Sequence, residues 1–190
     1  MKKTPLFFLL IFTFAAYGQQ EQSFLDSRDG KKYKTVKIGN QTWMAENLNY
    51  DASGSKCYKN KPENCTKYGR LYNWQTAITV CPHGWHLPGE IEYEVLDKAV
   101  GGEKVAGKKL KAKSGWNDGG NGTDEYGFSA LPGSGSKDGD FFDVGYGIWW
   151  SAEEFNSDDA YFRVMTHDYD YVFLGNTDKS SLFSVRCLQD

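Results

Sequence analysis

The four cysteines and three histidines are the side chains of this sequence best suited to metal binding or redox chemistry. The segment CPHGWH places Cys81, His83 and His86 close together, and thiolate and imidazole groups are preferred zinc ligands. A fourth ligand is not evident nearby, and Cys81 can instead form a disulfide. We therefore expect His86 to be a hydrogen-bonded supporting residue and not a metal ligand.

The segment 114–143 is rich in glycine, asparagine and aspartate, and part of it could hold calcium. Hard oxygen ligands for a structural calcium ion could come from Asp118, Asn121, Thr123 and Asp124. Trp116-Asn117-Asp118 also matches a triplet that calcium-dependent lectins use, but the Glu-Pro-Asn or Gln-Pro-Asp loop that accompanies it there is missing. A network of Asn and Asp turns explains the same residues, so both interpretations stay open.

Aromatic residues with interleaved acids are concentrated in the C-terminal part of the sequence. We predict a ligand surface there, formed by Trp149, Trp150, Tyr161, Tyr169, Asp170 and Tyr171. Exposed rings with polar rims can stack on sugars or pack against partner proteins. Alternation along strands should direct about half of the rings of this region into the core.

Catalytic patterns are weak in this chain. Carboxylates are clustered, as at Glu153-Glu154 and Asp158-Asp159, and two carboxylates can hydrolyse a glycosidic bond only at a suitable separation. Clustered acids are more often a solvated face, and no serine lies in a nucleophile-elbow context. We expect a protein without enzymatic activity and without a cofactor other than the calcium considered above.

The N-terminus is typical of a cleavable secretory leader over residues 1–18. Lys2 and Lys3 precede an apolar run at 6–16, and Ala16-Tyr17-Gly18 supplies the small-residue cleavage pattern. The run is too short to cross a bilayer, which needs about 20 residues. We predict an exported protein, extracellular, at the cell surface or in the periplasm, with a short tail at 19–25 and one domain at 26–190.

The net charge of −3 and the absence of a basic stripe argue against nucleic acid as a partner. The four cysteines of an exported chain favour disulfides. Three pairings are possible. Cys57 and Cys65 flank a short polar loop, which favours a local disulfide between them and leaves Cys81 to pair with Cys187.

The pattern of apolar residues predicts an α+β domain. Residues 32–44 read as a strand, a Gly39-Asn40 turn and a second strand, and residues 75–80 as one or two helical turns. A helix should follow Gly89, with Glu92 at the capping-box position and an apolar stripe. That stripe comprises Ile91, Val95, Leu96 and Ala99. The other predicted strands are 68–74, 148–152, 160–165, 171–175 and 183–188, with a hairpin tip at 166–170.

Several blocks in order carry a family resemblance over nearly all of the chain beyond the leader. They are DSRDGKKYKTVKIGNQTWMAENLNY (26–50), YGRLYNW (68–74), CPHGWHLP (81–88), LKAKSGWN (110–117), NGTDEYGFSALPGS (121–134) and WWSAEE (149–154). Together they resemble the Fibrobacter succinogenes major paralogous domain family, whose biochemical function is unknown. More distantly, GWHLPGEIEYEVL and the closing SVRC are similar to formylglycine-generating-enzyme-like and other C-type-lectin-like domains.

The distant resemblance implies a C-type-lectin-like fold of short helices and antiparallel sheets. It also implies a disulfide from a helix cysteine to the last strand, consistent with Cys81 and Cys187. Formylglycine formation would need a reactive cysteine pair near the C-terminus, where only Cys187 occurs.

These implications favour a non-catalytic, exported binding or surface-interaction module. Polysaccharide is the favoured partner, by analogy with the lectin fold and with a family named after a cellulose degrader. The alternative is an envelope protein that binds other proteins or is structural; a glycoside hydrolase or formylglycine-generating enzyme is disfavoured.

Overall fold

The computed structural model of the protein describes residues 22–190. The predicted leader at 1–18 and the first residues of the predicted tail lie outside this range. The helices are α1 (Pro62–Tyr68), α2 (Trp74–Val80), α3 (Glu90–Ala99) and α4 (Glu103–Leu110), with a short 3-10 turn at Tyr58–Asn60. The strands are β1 (Gln22–Leu25), β2 (Lys32–Ile38), β3 (Gln41–Met44), β4 (Leu71–Tyr72), β5 (Trp85–His86), β6 (Ser136–Lys137), β7 (Asp140–Phe141), β8 (Tyr146–Glu154), β9 (Asp159–Thr166), β10 (Phe173–Asp178), β11 (Phe183–Ser184) and β12 (Leu188–Gln189).

Two five-stranded sheets organise the described chain, with orders β1-β2-β3-β12-β5 and β10-β9-β8-β11-β4. Their ladders are antiparallel except for β11 against β8, where Ser184 lies opposite Trp149 in a parallel pair. The strands β6 and β7 form a separate small hairpin. The predicted α+β class, with short helices and antiparallel sheets, is confirmed.

Local sequence signals located several elements correctly. Gly39, with φ of 60°, forms the turn between β2 and β3, where the left-handed conformation favours glycine. The backbone N–H of Gly89 donates to Glu92 Oε2 at 2.8 Å, as predicted for the start of α3. The strands β9 and β10 pair as an antiparallel hairpin, with Val164 opposite Phe173.

Both predicted disulfides are present. Cys57 is bonded to Cys65 across 8 positions, and Cys81 is bonded to Cys187 across 106 positions. The long-range bond joins the segment that ends α2 to the segment between β11 and β12. The last strands of the chain are thereby tied to its first half.

Strand β8 separates two core clusters. Trp149 belongs to the cluster beneath α3 and α4, together with Trp43, Leu96 and Met165. Trp150 belongs to the cluster on the opposite side of the sheet, where its ring centroid lies 4.6 Å from that of Phe183. The middle of the second sheet is therefore covered on both faces.

Three elements of the structure were not predicted from the sequence. The predicted tail contains a strand, β1, because Phe24 can pack on Trp85 with ring centroids 5.2 Å apart. Helix α1 occupies part of the predicted loop between Cys57 and Cys65, with Pro62 at its first turn. Helix α4 was not predicted at all.

The buried face of α3 also differs from the predicted stripe. Ile91 is 75% exposed, whereas Tyr93, Leu96 and Asp97 are buried. Asp97 faces inwards because its carboxylate pairs with buried Arg163 of β9, at 3.2 Å between Oδ2 and Nη1. The buried apolar residues Tyr93, Leu96 and Val100 recur at helical spacing, and the Asp97–Arg163 ion pair lies on the same side of the helix.

A candidate aromatic binding face

One face of the β8–β9–β10 sheet carries apolar side chains, of which Ile148 is buried and most of the others are half-buried. Residues paired across strands point to the same face, so Ile148, Val164 and Phe173 lie in a row. Phe162 lies two positions from Val164 on β9, and Tyr146 is 39% exposed beside them. We call the surface formed by Tyr146, Ile148, Phe162, Val164, Phe173, Tyr169 and Tyr171 the aromatic face.

A groove runs across the β8–β9 part of this face. Its volume is about 540 Å3, and its walls include Phe141, Phe142 and Asp143 from the segment that precedes β8. The walls are mainly aromatic and aliphatic, with the Asp143 carboxylate at the edge. Such a groove suits an extended ligand with both apolar and polar surfaces.

The aromatic face continues onto the β9–β10 hairpin as three rings in mutual contact. The ring centroids of Tyr171 and Phe173 are 4.2 Å apart, those of Tyr169 and Tyr171 are 4.9 Å apart, and those of Tyr169 and Phe173 are 5.6 Å apart. Tyr169 is 45% exposed. Partial burial, with Tyr169 nearby, raises the pKa of Tyr171.

A buried lysine fixes the hairpin tip. Lys111 is 1% exposed, and its Nζ donates to the backbone oxygens of Thr166 at 2.9 Å and Tyr169 at 2.8 Å. Its ammonium also lies 5.2 Å from the ring centroid of Trp116. Burial lowers the pKa of Lys111. The carbonyl groups that bracket the tip are therefore satisfied from inside the protein.

Helix α4 supports the same tip through its backbone. Lys108 N donates to Asp170 O at 2.9 Å. Gly107 permits this approach, because a Cβ atom there would lie 2.8 Å from the same oxygen. The helix thus presents Tyr169 and Tyr171 on a well-supported loop, with exposed Asp168 and Asp170 as a polar rim.

Of the six residues predicted for the ligand surface, Tyr169, Asp170 and Tyr171 lie on or beside the aromatic face. Trp149 and Trp150 do not, because they are 3% and 0% exposed and project into cores on opposite sides of β8. Their prediction as ligand-binding residues was wrong. Both indole N–H groups are used internally, by Asn47 Oδ1 and by Tyr72 O.

Tyr161 is half-buried and points away from the aromatic face, since it alternates with Phe162 along β9. Its ring packs against Phe155 with centroids 5.4 Å apart. Phe173 and Val164 are the main members that the sequence prediction missed. The register of the β9–β10 hairpin would have identified them, but a single sequence does not define that register.

The residues considered for calcium form turn hydrogen bonds. Asn121 Oδ1 accepts from Trp116 N at 3.0 Å, and the Asp124 carboxylate accepts from Ser129 N at 2.8 Å and Oγ at 2.7 Å. Thr123 Oγ1 donates to Lys108 O at 3.3 Å, and Asp118 is exposed. Across residues 22–190, no group of three or more His, Cys, Asp or Glu side chains is arranged to hold a metal ion. The turn interpretation accounts for these contacts.

The zinc site considered for the segment CPHGWH is not formed, because Cys81 is bonded to Cys187 and has no thiolate to offer a metal ion. His86 instead bridges two carboxylates, with Nδ1 2.6 Å from Asp190 Oδ1 and Nε2 2.8 Å from Glu92 Oε1. Burial alone would lower the pKa of His86, but the two hydrogen bonds outweigh it and raise the pKa above 6.5. His86 is the supporting residue that the sequence predicted.

In the part of the chain that the structure describes, no helix has the length and apolarity required to cross a membrane. Fold and surface together define a small, disulfide-linked α+β domain with an aromatic face supported by a helix and a buried lysine. The sequence model of the Fibrobacter succinogenes major domain matches residues 36–189, and the chain belongs to this family. No curated protein and no solved structure matches the chain significantly.

Proposed function

We propose that this protein is an exported, non-catalytic binding module whose aromatic face binds polysaccharide. The observation that carries the proposal is the set of contacting rings Tyr169, Tyr171 and Phe173. It adjoins the groove across β8 and β9, because Phe173 lies opposite Val164 of the groove wall. Rings of this kind can stack on the C–H faces of sugars, while Tyr hydroxyls and the carboxylates of Asp168 and Asp170 bind sugar hydroxyls.

Export and a C-type-lectin-like fold are parts of the same proposal. Two disulfides among four cysteines are compatible with an oxidising compartment. The bond from Cys81, beside α2, to Cys187, before the last strand, is the connection that the C-type-lectin-like resemblance implies. The two antiparallel sheets joined by short helices also agree with that fold.

The main group of buried charges supports a binding role over a catalytic one. Arg163 is 6% exposed and pairs with Glu90 at 2.9 Å and Asp97 at 3.2 Å. Burial raises the pKa of Asp97 to about 6. These perturbed groups join α3 to β9 inside the domain, so their perturbation has a structural cause.

A glycan array of plant and bacterial polysaccharides tests the proposal. The purified protein should bind a restricted set of glycans, and Tyr171→Ala should weaken that binding about tenfold, the equivalent of about 1.4 kcal/mol for one stacked ring. Phe155→Ala is the matched control, because Phe155 is 50% exposed and lies outside the aromatic face. The absence of binding to any glycan on the array, or an equal loss of glycan affinity in the two variants, would contradict the proposal.

A protein partner is the second candidate, and one observation favours it. Strand β10 is an edge of the second sheet, and Leu174 on it is 51% exposed. Beside this edge lies a notch of about 560 Å3 that Glu103, Lys104 and Tyr171 help to line. An extended peptide could pair with β10 and place an apolar side chain in the notch.

Pull-down from envelope extracts separates the two candidates. A Leu174→Lys variant should lose a partner that pairs with β10 while keeping glycan binding. Retention of the partner by this variant would exclude the edge-strand mode.

A further inference from the structure

A polar cavity on the first sheet is distinct from the aromatic face. It lies between β2, β3 and α1 and has a volume of about 370 Å3. Five basic residues and one acidic residue contribute to its walls, and they are Lys31, Lys32, Lys34, Lys67, Arg186 and Glu46. Lys31 and Lys34 have other partners, but Lys32, Lys67 and Arg186 against the single Glu46 still leave the cavity with an excess of positive charge. The net charge of the whole protein is −3.

Arg186 is the unusual member of this set, because it is buried and its hydrogen-bond partners are neutral, while the carboxylates of Asp124 and Glu46 stabilise its charge only from beyond ion-pair distance. The residue is 1% exposed. Its Nε and Nη2 donate to Asn47 Oδ1 at 3.1 and 2.8 Å, and its Nη1 donates to the backbone oxygen of Phe128. Within residues 22–190, no carboxylate lies at ion-pair distance from this guanidinium.

Burial of a cation without a counter-charge is costly, and the protein offsets that cost only in part. The aromatic ring of Phe128 helps, with its centroid 4.4 Å from Arg186 Cζ. Burial nevertheless lowers the pKa of Arg186 to about 10. The three donor contacts leave two of the five guanidinium N–H groups available for another acceptor.

Lysines at the mouth of the cavity add to the positive potential. Lys32 is exposed on β2, and Lys67 lies in the last turn of α1 with its Nζ 4.7 Å from the ring centroid of Tyr68. Lys31 is partly neutralised by Asp29, at 3.1 Å. A ligand that enters here meets mobile ammonium groups first and a fixed guanidinium at the wall.

We propose that this cavity binds an oxyanion, either a free anion or the acid group of an acidic polysaccharide. Carboxylate, sulfate and phosphate share the required chemistry, since each presents two oxygens to a guanidinium fork and supplies the missing negative charge. The inference goes beyond the proposed function and rests on different residues. If the aromatic face does not bind glycans, the cavity can still bind an oxyanion. If the cavity does not bind an oxyanion, the aromatic face can still bind glycans.

Thermal unfolding tests this inference on the purified protein. Sodium sulfate, sodium phosphate, sodium galacturonate and polygalacturonate are titrated at constant ionic strength against sodium chloride. At least one oxyanion should raise the unfolding midpoint with a saturable dependence on concentration, because it binds the folded state alone. Sulfate and phosphate also stabilise proteins non-specifically, so variants of cavity residues are needed to show that the rise in the unfolding midpoint comes from binding in the cavity.

The double variant Lys32→Gln/Lys67→Gln should weaken the apparent affinity about tenfold, or about two- to fivefold for each lysine. It keeps Arg186 and the core intact, which avoids the risk that an Arg186 variant fails to fold. Lys113→Gln is the control, since Lys113 is exposed and is not part of the cavity wall. It should leave the affinity unchanged.

The four titrations together distinguish the source of the anion. Tighter binding of polygalacturonate than of galacturonate, per acid group, would assign an acidic polysaccharide, whereas binding of sulfate or phosphate alone would assign a free anion. The proposal is overturned if none of the four gives a saturable rise beyond chloride. It is also overturned if the double lysine variant responds as the unmodified protein does.

Discussion

The two disulfides should contribute unequally to stability, and the inequality can be worked out from their loops. Cys57–Cys65 spans 8 positions and Cys81–Cys187 spans 106. On the chain-entropy relation, the short loop stabilises the fold by about 2.5 kcal/mol and the long loop by about 4.8 kcal/mol. Each pair has one buried and one half-buried cysteine, so the loss of packing on substitution by alanine should be similar.

Urea denaturation of the Cys57→Ala/Cys65→Ala and Cys81→Ala/Cys187→Ala variants provides the comparison. The long-loop variant should be less stable than the short-loop variant by about 2.3 kcal/mol, or roughly 5 to 9 °C in the thermal midpoint for a domain of this size. Equal losses, or a larger loss for the short loop, would contradict a stabilisation that grows with loop length. Such a result would show that strain or residual denatured-state structure outweighs loop length.

Three further outcomes are expected. The stabilisation by His86 should be complete below pH 6.5 and should be lost as the pH rises through the raised pKa of His86 in the folded state. In His86→Gln the free energy of unfolding should therefore vary less with pH over this range. Identical pH profiles for the variant and the unmodified protein would contradict this. Asp97, whose pKa burial raises to about 6, favours the folded state most when protonated. Asp97→Asn, which keeps this side chain neutral, should therefore abolish the fall in the free energy of unfolding that Asp97 causes as the pH rises from 3.8 through about 6. A urea-denaturation profile that still falls as it does in the unmodified protein would count against it. Lys111→Met should lower the free energy of unfolding by about 1 to 3 kcal/mol, because it leaves the backbone carbonyls of Thr166 and Tyr169 without their donor. Amide hydrogen exchange at the 166–170 tip should also become faster. A tip as protected as in the unmodified protein would disprove that anchoring role.

Features with a local cause could be predicted from the sequence. The capping of α3 by Glu92, the turn at Gly39 and the β9–β10 hairpin each depend on neighbours in the chain. The disulfide pairing also followed from spacing, since Cys57 and Cys65 are close enough for a local bond. Short-range geometry restricts these elements to few conformations.

Burial on both faces of a strand could not be predicted in this way. The alternation of side chains along a strand correctly predicts that Trp149 and Trp150 lie on opposite sides of β8. It predicts an exposed side chain only where one side of the sheet faces solvent. Here Phe183 covers Trp150, and the core beneath α3 and α4 covers Trp149. The coverage depends on the arrangement of whole layers.

Buried ionic groups were the other source of error. Asp97 and Arg163 form a buried ion pair between α3 and β9, Lys111 anchors the hairpin tip, and Arg186 lines the cavity. A charged residue in a single sequence is normally expected at the surface. Their partners, including Asn47 for Arg186, are distant in sequence, so only the folded structure brings them together.

Nuclear magnetic resonance mapping shows directly whether the aromatic face is a carbohydrate-binding surface. A soluble fragment of a glycan identified by the array is titrated into 15N-labelled protein, and amide shifts are followed residue by residue. We expect saturable shifts that centre on Val164, Tyr169, Tyr171 and Phe173 and that disappear in Tyr171→Ala. Saturable shifts that spare these residues and centre elsewhere would contradict it.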